Sequence, residues 1–302
     1  MFGGRLGRGA HCTATTTWSR DMARTPKGRA LGGALRQARE DRGLKLREFA
    51  STLGRDPGVL SRWETGERTP KPEQVAQILT ALGVVGERYE EIVGLAYDTD
   101  APQWVATRLP DQKQQLSALV DYEQNASEII EVAPLLIPGL LQTGSYVRAI
   151  MSGGGVPSGE IATRAAIRIG RKDVILRNEP ARLLALVGEG ALRQVVGDRD
   201  TMIEQLRHLA DMSERPNIDL RIVPYRSGWN PSLEGGFLLI KHEKLDPVVA
   251  LENRRSGLFL HEYDDVTVYE QAVEQTAQVA LNSKASMMLL RKAVKNVEGL
   301  NE

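Results

Sequence analysis

The segment from Leu46 to Gly66 constrains the fold more than any other part of this chain. Its first half carries apolar residues at helical spacing, namely Leu46, Phe49, Ala50 and Leu53. Gly54 follows, and glycine suits a turn that needs a left-handed backbone because it has no Cβ to clash. Asp56 and Pro57 then mark a new helix start, since aspartate caps a helix and proline is tolerated in the first turn. The pattern predicts two short helices joined by a tight turn.

The sizes of three side chains predict how these helices pack. The small Ala50 lets the second helix approach the first closely, while Leu60 and Trp63, three residues apart, face the domain core. The opposite face of Pro57–Glu64 stays available for another molecule. A helix-turn-helix that places its second helix in the DNA major groove has this arrangement, and we expect one at about Leu46–Arg68. The alternative is a helical hairpin within a bundle that has no role in DNA binding.

This segment resembles the Cro/repressor-like (XRE) helix-turn-helix family. The resemblance implies that the first turns of the second helix read bases, at the positions of Pro57, Gly58, Ser61 and Arg62. Pro57 and Gly58 depart from the polar side chains common in that family, and neither can make a bidentate contact with a base. Direct readout would therefore fall largely on Arg62, with help from Ser61. Backbone approach at Gly58 and DNA shape would supply the rest.

Basic residues flank the helix pair and are expected to contact DNA phosphates, namely Lys45, Arg47, Arg68 and Lys71. The whole chain balances 39 Lys and Arg against 39 Asp and Glu, so its net charge of +0 says nothing about a nucleic-acid partner. The predicted helical domain carries slightly more acids than bases, which favours the bundle alternative. Its acids, however, lie largely outside the helix pair.

Changes in composition and periodicity divide the chain into four segments. Residues 1–29 are rich in Gly, Arg and Thr without a helical or strand period, which predicts a disordered basic arm. Residues 30–97 predict five short helices in an all-α, lambda-repressor-like DNA-binding domain. A linker that contains Trp104 is expected at 98–110, and an α+β domain at 111–296. The expected fold class is therefore multidomain, all-α followed by α+β.

The basic arm has two interpretations. Its arginines could follow DNA phosphates or enter a minor groove. Alternatively, residues 1–21 are not native, because Met22 opens an ordinary start in the order Met-Ala-Arg-Thr-Pro.

Helical and alternating apolar patterns predict the elements of the second domain. Helices are expected near 112–122, 144–151, 159–176 and 200–212, and two more close the chain at 265–280 and 283–295. Strands are expected near Leu183–Val187, Ile218–Val223, Phe237–Lys241, Val248–Leu251 and Gly257–His261.

Motifs in the second half carry another resemblance. Prolines break an apolar run before Thr143, which can cap the next helix. Residues from about Trp104 to Leu290 resemble the domain of unknown function that follows this helix-turn-helix in many actinobacterial regulators, including WhiJ-type proteins. The matching motifs are Pro138–Thr143, Arg168, Arg171, Glu189–Arg193, Val223-Pro224 and Gly235–Phe237. The resemblance implies transcriptional control, often beside a gene for a small acidic partner protein. Lys172 departs from the Gln expected there, and Ala133 from a bulkier residue.

Few residues in the second half suggest chemistry. The loop with Tyr225 and Trp229, together with Glu189, could line a ligand or partner pocket. The alternative is an ordinary strand connection with a buried Trp229, and a Glu189 that caps its helix. The pairs at His242 and His261, each followed by Glu, could suggest a metal site, but solvated strand ends explain them better because no compact ligand motif is present. No phosphate-binding loop and no nucleophile elbow occur.

These patterns together predict a sequence-specific DNA-binding transcriptional regulator without enzymatic activity, cofactor or metal. We expect it to bind double-stranded DNA as a homodimer, with the second domain mediating dimerisation and sensing or partner binding. The alternative is an antitoxin-like, autoregulating component of a two-gene module that binds a small acidic partner protein. One cysteine and the lack of a long apolar run predict a cytoplasmic protein with no membrane span.

Overall fold

A computed structural model of the chain describes residues 25–101, 103–106, 109–243, 245–254 and 256–299. The predicted arm at 1–29 lies outside the described residues up to position 24. Its last residues are helical, which corrects the predicted boundary. The Thr25 side chain accepts a hydrogen bond from the backbone N–H of Gly28 at 3.0 Å, and Pro26 occupies the first helical position. Thr25-Pro26 is thus a helix start of the same kind as Asp56-Pro57.

The N-terminal part is a helical domain, as predicted. Its helices are α1 (Pro26–Glu40), α2 (Leu46–Thr52), α3 (Pro57–Glu64), α4 (Pro72–Ala81) and α5 (Glu87–Leu95). The turn between α2 and α3 contains Gly54 at a φ of +62°, which a residue with a Cβ adopts only under strain. Apolar side chains from all five helices fill the core, among them Leu35, Phe49, Leu60, Leu79 and Ile92.

Helices α1 and α3 meet backbone to backbone. A Cβ on Gly32 would lie 2.5 Å from the carbonyl oxygen of Trp63. Gly66 follows α3 at a φ of +70°, and a Cβ there would lie 2.8 Å from the Cα of Arg29. No side chain separates the two helices at these points, so α3 cannot shift without moving α1.

A buried ion pair joins the same two helices farther along α1. Arg39 donates from Nε and Nη2 to the two carboxylate oxygens of Glu64 at 2.7 and 2.8 Å. Its Nη1 donates to the carbonyl oxygen of Leu44 at 2.6 Å, in the turn before α2. The hydrogen bond to Glu64 raises the pKa of Arg39 further above its usual range despite burial. One guanidinium therefore holds α1, the start of α2 and the end of α3 together.

The C-terminal part is built on one seven-stranded sheet. Its strands are β1 (Gln103–Ala106), β2 (Glu128–Ala133), β3 (Arg182–Gly188), β4 (Ile218–Val223), β5 (Phe237–Lys241), β6 (Val248–Asn253) and β7 (Ser256–Leu260). The order across the sheet is β1-β7-β6-β5-β2-β3-β4. Neighbours in β2-β3-β4 run parallel, and the other neighbouring pairs run antiparallel.

Helices cover both faces of this sheet. They are α6 (Leu109–Gln124), α7 (Gly144–Gly153), α8 (Ser158–Gly170), α9 (Asp173–Leu176), α10 (Glu189–Arg193), α11 (Arg199–Met212), α12 (Tyr263–Val279) and α13 (Ser283–Glu298). Neighbouring residues of β2 face opposite sides: Ile129 packs in one core with α6, α11 and α13, and Ile130 in a second core with α12. The predicted helix-and-sheet domain is thus confirmed, as a three-layer arrangement. None of the described helices is long and apolar enough to cross a membrane.

Two strands lie where the sequence predicted none. The expected linker at 98–110 contains β1, which pairs with β7, and Trp104 stacks on Phe259 with ring centroids 5.8 Å apart. The linker prediction is wrong there, because pairing with a strand distant in sequence orders the segment. Central strand β2 was missed because Glu128 and Glu131 interrupt its apolar run. The single helix expected at 159–176 is divided into α8 and α9.

Replacing Glu64 by Ala should lower the free energy of unfolding by about 3–5 kcal/mol, because Arg39 would keep a buried charge without its partner. Urea unfolding followed by circular dichroism measures this loss. Glu73→Ala, which removes an exposed carboxylate of α4, is the control and should change stability little. A Glu64→Ala loss no larger than that of the control would show that the ion pair is unimportant.

Candidate nucleic-acid interface

The outer face of α3 is the candidate interface. Asp56 caps this helix, accepting hydrogen bonds from the backbone N–H groups of Gly58 at 2.8 Å and Val59 at 3.2 Å. Leu60 and Trp63 are buried on the inner side, as the spacing predicted. The four residues expected to read bases share the outer side and are partly exposed, namely Pro57, Gly58, Ser61 and Arg62.

Gly58 shapes the position of Arg62. A Cβ on Gly58 would lie 2.9 Å from the capping oxygen of Asp56 and 3.6 Å from Nη1 of Arg62. The arginine therefore lies back along α3, beside the glycine, toward the start of the helix. Its Nε is buried and has no hydrogen-bond partner among the described residues. Because Nε is buried, contact with an acceptor from another molecule in this conformation falls to the terminal Nη1 and Nη2 groups of this partly exposed side chain.

The four residues expected to contact phosphates are exposed. Lys45 and Arg47 lie at the start of α2, while Arg68 and Lys71 lie between α3 and α4. None of the four forms an ion pair with another residue that the structure describes. Arg55 differs, because its guanidinium lies 5.0 Å from the ring centroid of Trp63 and donates to Gln77 at 3.3 Å.

The predicted pocket residues lie on the C-terminal domain. Glu189 begins α10, accepts a hydrogen bond from Arg193 at 3.0 Å and another from the backbone N–H of Tyr225 at 3.1 Å. Glu189 therefore anchors the loop after β4. The alternative prediction that it caps its own helix is wrong, because Gly188 occupies the cap position. Tyr225 and Trp229 are 65% and 67% exposed, so Trp229 is not the buried residue of that alternative. The structure brings Glu189 and Tyr225 together, but shows no contact between them and Trp229.

The C-terminal motif residues form a buried polar cluster that the sequence did not predict. We call it the motif cluster; it comprises Glu123, Glu131, Gly139, Gln142, Arg168 and Arg171. Arg171 donates to both oxygens of Glu123 at 2.7 and 2.6 Å, and Glu131 accepts from the backbone N–H of Gly139 at 3.0 Å. Buried atoms of Glu131, Gln142 and Arg168 have no hydrogen-bond partner among the described residues. An acid within the apolar run from Ile129 to Val132 was the available signal for Glu131, and no comparable signal marks Glu123.

Burial dominates the electrostatics of the motif cluster. It raises the pKa of Glu131 to about 7, against the opposing effects of the Gly139 N–H group and Arg171. Burial also lowers the pKa of Arg168. Burial alone would lower the pKa of Arg171, but the Glu123 carboxylate raises it overall. Arg171 is thus held in its charged form beside Glu123, while Glu131 titrates near neutrality.

The two histidines considered for a metal site are less solvated than expected. His261 is buried, and His242 is half-buried with its Nδ1 2.9 Å from the carbonyl oxygen of Asn125. Burial lowers the pKa of both imidazoles. Within the part of the chain that the structure describes, no three His, Cys, Asp or Glu side chains are grouped to hold a metal ion.

Replacing Glu131 by Gln should change how stability depends on pH. The pKa of Glu131 is higher in the folded state than its ordinary value near 4.5, so this group destabilises the fold as the pH rises from about 4.5 through 7. Relative to the wild type, Glu131→Gln should therefore gain roughly 2–3 kcal/mol between pH 5 and pH 8. Unfolding in urea at several pH values measures this, with Glu128→Gln on the same strand as control. An unchanged pH slope in Glu131→Gln would contradict the assignment.

Two family models match the chain. A model for a helix-turn-helix domain matches residues 30–92, which contain α2 and α3. A model described as Domain of unknown function (DUF5753) matches residues 116–292, more than half of the chain, from within α6 to within α13. No curated protein and no solved structure matches.

The helix-turn-helix match assigns the surface of α3 to a domain type that is typical of DNA-binding regulators. The second match covers strands β2 to β7, helices α7 to α12 and the motif cluster. The chain belongs to the family of the Domain of unknown function (DUF5753) and carries a helix-turn-helix DNA-binding domain before it.

Proposed function

We propose that this protein is a sequence-specific transcriptional regulator of the Cro/repressor-like (XRE) class, acting in the cytoplasm and related to WhiJ-type regulators. Five helices form a lambda-repressor-like domain, and α3 enters the DNA major groove. The observation that carries this proposal is the outer face of α3. Its backbone is fixed by the Asp56 cap and by Glu64, while the partly exposed Arg62 side chain forms no ion pair or hydrogen bond with another described residue. This function needs no enzymatic activity.

Arg62 is the principal base-reading residue in this proposal. Arginine pairs in bidentate fashion with O6 and N7 of guanine, and the unpaired guanidinium is suited to such a contact. Ser61 adds a hydroxyl on the same face. At Gly58 the backbone can approach the groove closely, and no side chain is available to select a base. Sequence-dependent DNA shape therefore contributes the remaining specificity.

Phosphate contacts position the domain without selecting sequence. Lys45 and Arg47 before and within α2, and Arg68 and Lys71 after α3, are exposed and unpaired cations among the described residues. Such contacts give the salt-dependent part of DNA affinity. They explain how a domain whose acidic and basic residues nearly balance can still bind DNA.

Replacing Arg62 by Ala should cost about 1–3 kcal/mol on the selected operator and relax specificity at one base pair per half-site. Lys45→Ala should weaken binding to operator and scrambled duplex alike and reduce the salt slope by about one. Titration of both duplexes by fluorescence anisotropy at several salt concentrations separates the two roles. Equal losses on both duplexes for Arg62→Ala would reassign Arg62 to the phosphate backbone.

We also propose that the protein binds DNA as a homodimer, with the C-terminal domain mediating dimerisation and sensing or partner binding. Two-fold pairing places the two α3 helices about 34 Å apart, one turn of DNA. Large apolar side chains exposed on the C-terminal domain support an interface there, including Leu135, Leu233 and Met288.

A second candidate is an antitoxin-like component of a two-gene module whose C-terminal domain binds a small acidic partner protein. The loop after β4 favours it, because Tyr225 and Trp229 are exposed and the Arg193 guanidinium lies 5.7 Å from the Tyr225 ring centroid. Tyr, Trp and Arg are the residues enriched in binding hot spots. Co-purification with the product of an adjacent gene should be lost in Trp229→Ala and kept in Tyr97→Ala, an exposed tyrosine of the helical domain. If the Trp229→Ala variant still co-purified with the adjacent gene product, the loop after β4 would be excluded as its binding site.

A further inference from the structure

Arg29 of α1 forms the main polar contact between the helical domain and the C-terminal domain. Its side chain is 9% exposed and donates from Nε to Oδ2 of Asp121 on α6 at 3.0 Å, with a second hydrogen bond from Nη2 to the same oxygen. The guanidinium carbon lies 4.8 Å from the ring centroid of the buried Tyr122. A carboxylate and an aromatic ring of one helix thus fix the direction of this side chain.

The other side of Arg29 contacts the recognition helix. A Cβ on Gly66, in the turn after α3, would lie 2.8 Å from the Cα and 3.0 Å from the Cγ of Arg29. One turn later, Gly32 meets the end of α3 in the same way. Because backbone rather than flexible side chain fills these contacts, α1 and α3 behave as one unit at Arg29.

Helix α6 is fixed equally firmly within the C-terminal domain. Gln115 donates to the carbonyl oxygen of Trp104 on β1 at 2.7 Å. Glu123, two residues after Asp121, forms the buried ion pair with Arg171 of α8. Asp121 therefore belongs to a helix held by the sheet on one side and by the motif cluster on the other.

The contact between the two domains has an apolar part and a polar part. Leu31 and Leu35 of α1 lie in the same buried cluster as Ala118 and Leu119 of α6. Arg29–Asp121 is the one ion pair that joins α1–α5 to the C-terminal domain among the residues described. Hydrogen bonds from Thr25 to the carbonyl oxygen of Thr99 at 2.6 Å and from Gln114 to that of Glu91 at 3.1 Å add to it. A cleft of about 1040 Å³ opens beside it, with Arg29 and Asp121 in its walls. Apolar packing is non-directional, so the ion pair and these hydrogen bonds are the contacts that fix the angle between the domains.

We propose that the Arg29–Asp121 ion pair sets the direction of α3 relative to the C-terminal domain and so makes half-site spacing a determinant of DNA specificity. The inference rests on the proposed function, because it requires a dimer on two half-sites. Inserting one base pair moves the second half-site by about 3.4 Å and rotates it by about 35°. A rigid joint cannot follow that change, whereas a loosened joint can. Arg29 and Asp121 are thus positioning residues, remote from the base-reading face.

The experiment uses the full-length protein and DNA selected from a random duplex library by the wild type. Duplexes with one base pair inserted or removed between the half-sites, and duplexes with a single half-site, are then titrated by fluorescence anisotropy. The test variants are Asp121→Ala, whose side chain is half exposed, and Arg29→Met, which removes the ion pair without leaving the buried guanidinium unpaired. The control is Asp41→Ala, which removes an ion pair with Arg88 that stays inside the helical domain.

We expect the wild type and Asp41→Ala to lose at least about tenfold in affinity on the altered spacings. Asp121→Ala and Arg29→Met should keep the single-half-site affinity and lose only about two- to threefold on the same duplexes. Wild-type discrimination in either variant would overturn the inference while leaving the proposed function intact. A wild type that binds half-sites without any spacing preference would also overturn it. Failure of the wild type to enrich any sequence would overturn the proposed function, and this inference with it.

Discussion

The buried ion pair between Arg39 and Glu64 determines where the recognition helix α3 lies. A buried pair of this kind adds little net stability, because removing two charges from water offsets their attraction. It does, however, favour one relative position of α1 and α3, because any arrangement that separates the two charges leaves one of them buried and unpaired. The Arg39 side chain also binds the carbonyl oxygen of Leu44, so α2 is placed by the same group. Close contact at Gly32 then allows α3 only one distance from α1.

Polar contacts of α6 likewise fix the positions of elements in both domains. Successive residues of α6 face different partners: Asp121 binds Arg29 of the helical domain, and Glu123 binds Arg171 of α8. The motif cluster therefore holds the helix that positions α1. Its Glu131 carboxyl is buried and has a pKa of about 7, so the net charge of the motif cluster changes with pH near neutrality. A continuous series of contacts therefore connects the motif cluster to α3 through α6 and α1.

Local signals made α2 and α3 predictable from the sequence. The Asp56-Pro57 cap, the glycine turn and the spacing of Leu60 and Trp63 are all short-range features, and the structure contains each of them. Long-range features were not predictable in this way. Strand β2 carries Glu131 at its centre, and only the fold reveals the groups that surround this charge. The partly exposed face of α3 was predictable, and so was the proximity of Gly58 and Arg62, which are four residues apart on one helix. The burial of the Arg62 Nε, by contrast, depends on three-dimensional packing.

Methylation interference on the selected operator tests the central claim most directly, because a methyl group on guanine N7 blocks a major-groove acceptor. The account predicts that methylation of one guanine in each half-site abolishes binding of the wild-type protein, and that Arg62→Ala loses this sensitivity while still protecting the same phosphates. Wild-type binding that is indifferent to N7 methylation at every guanine, or an interference pattern unchanged in Arg62→Ala, would contradict recognition through the outer face of α3.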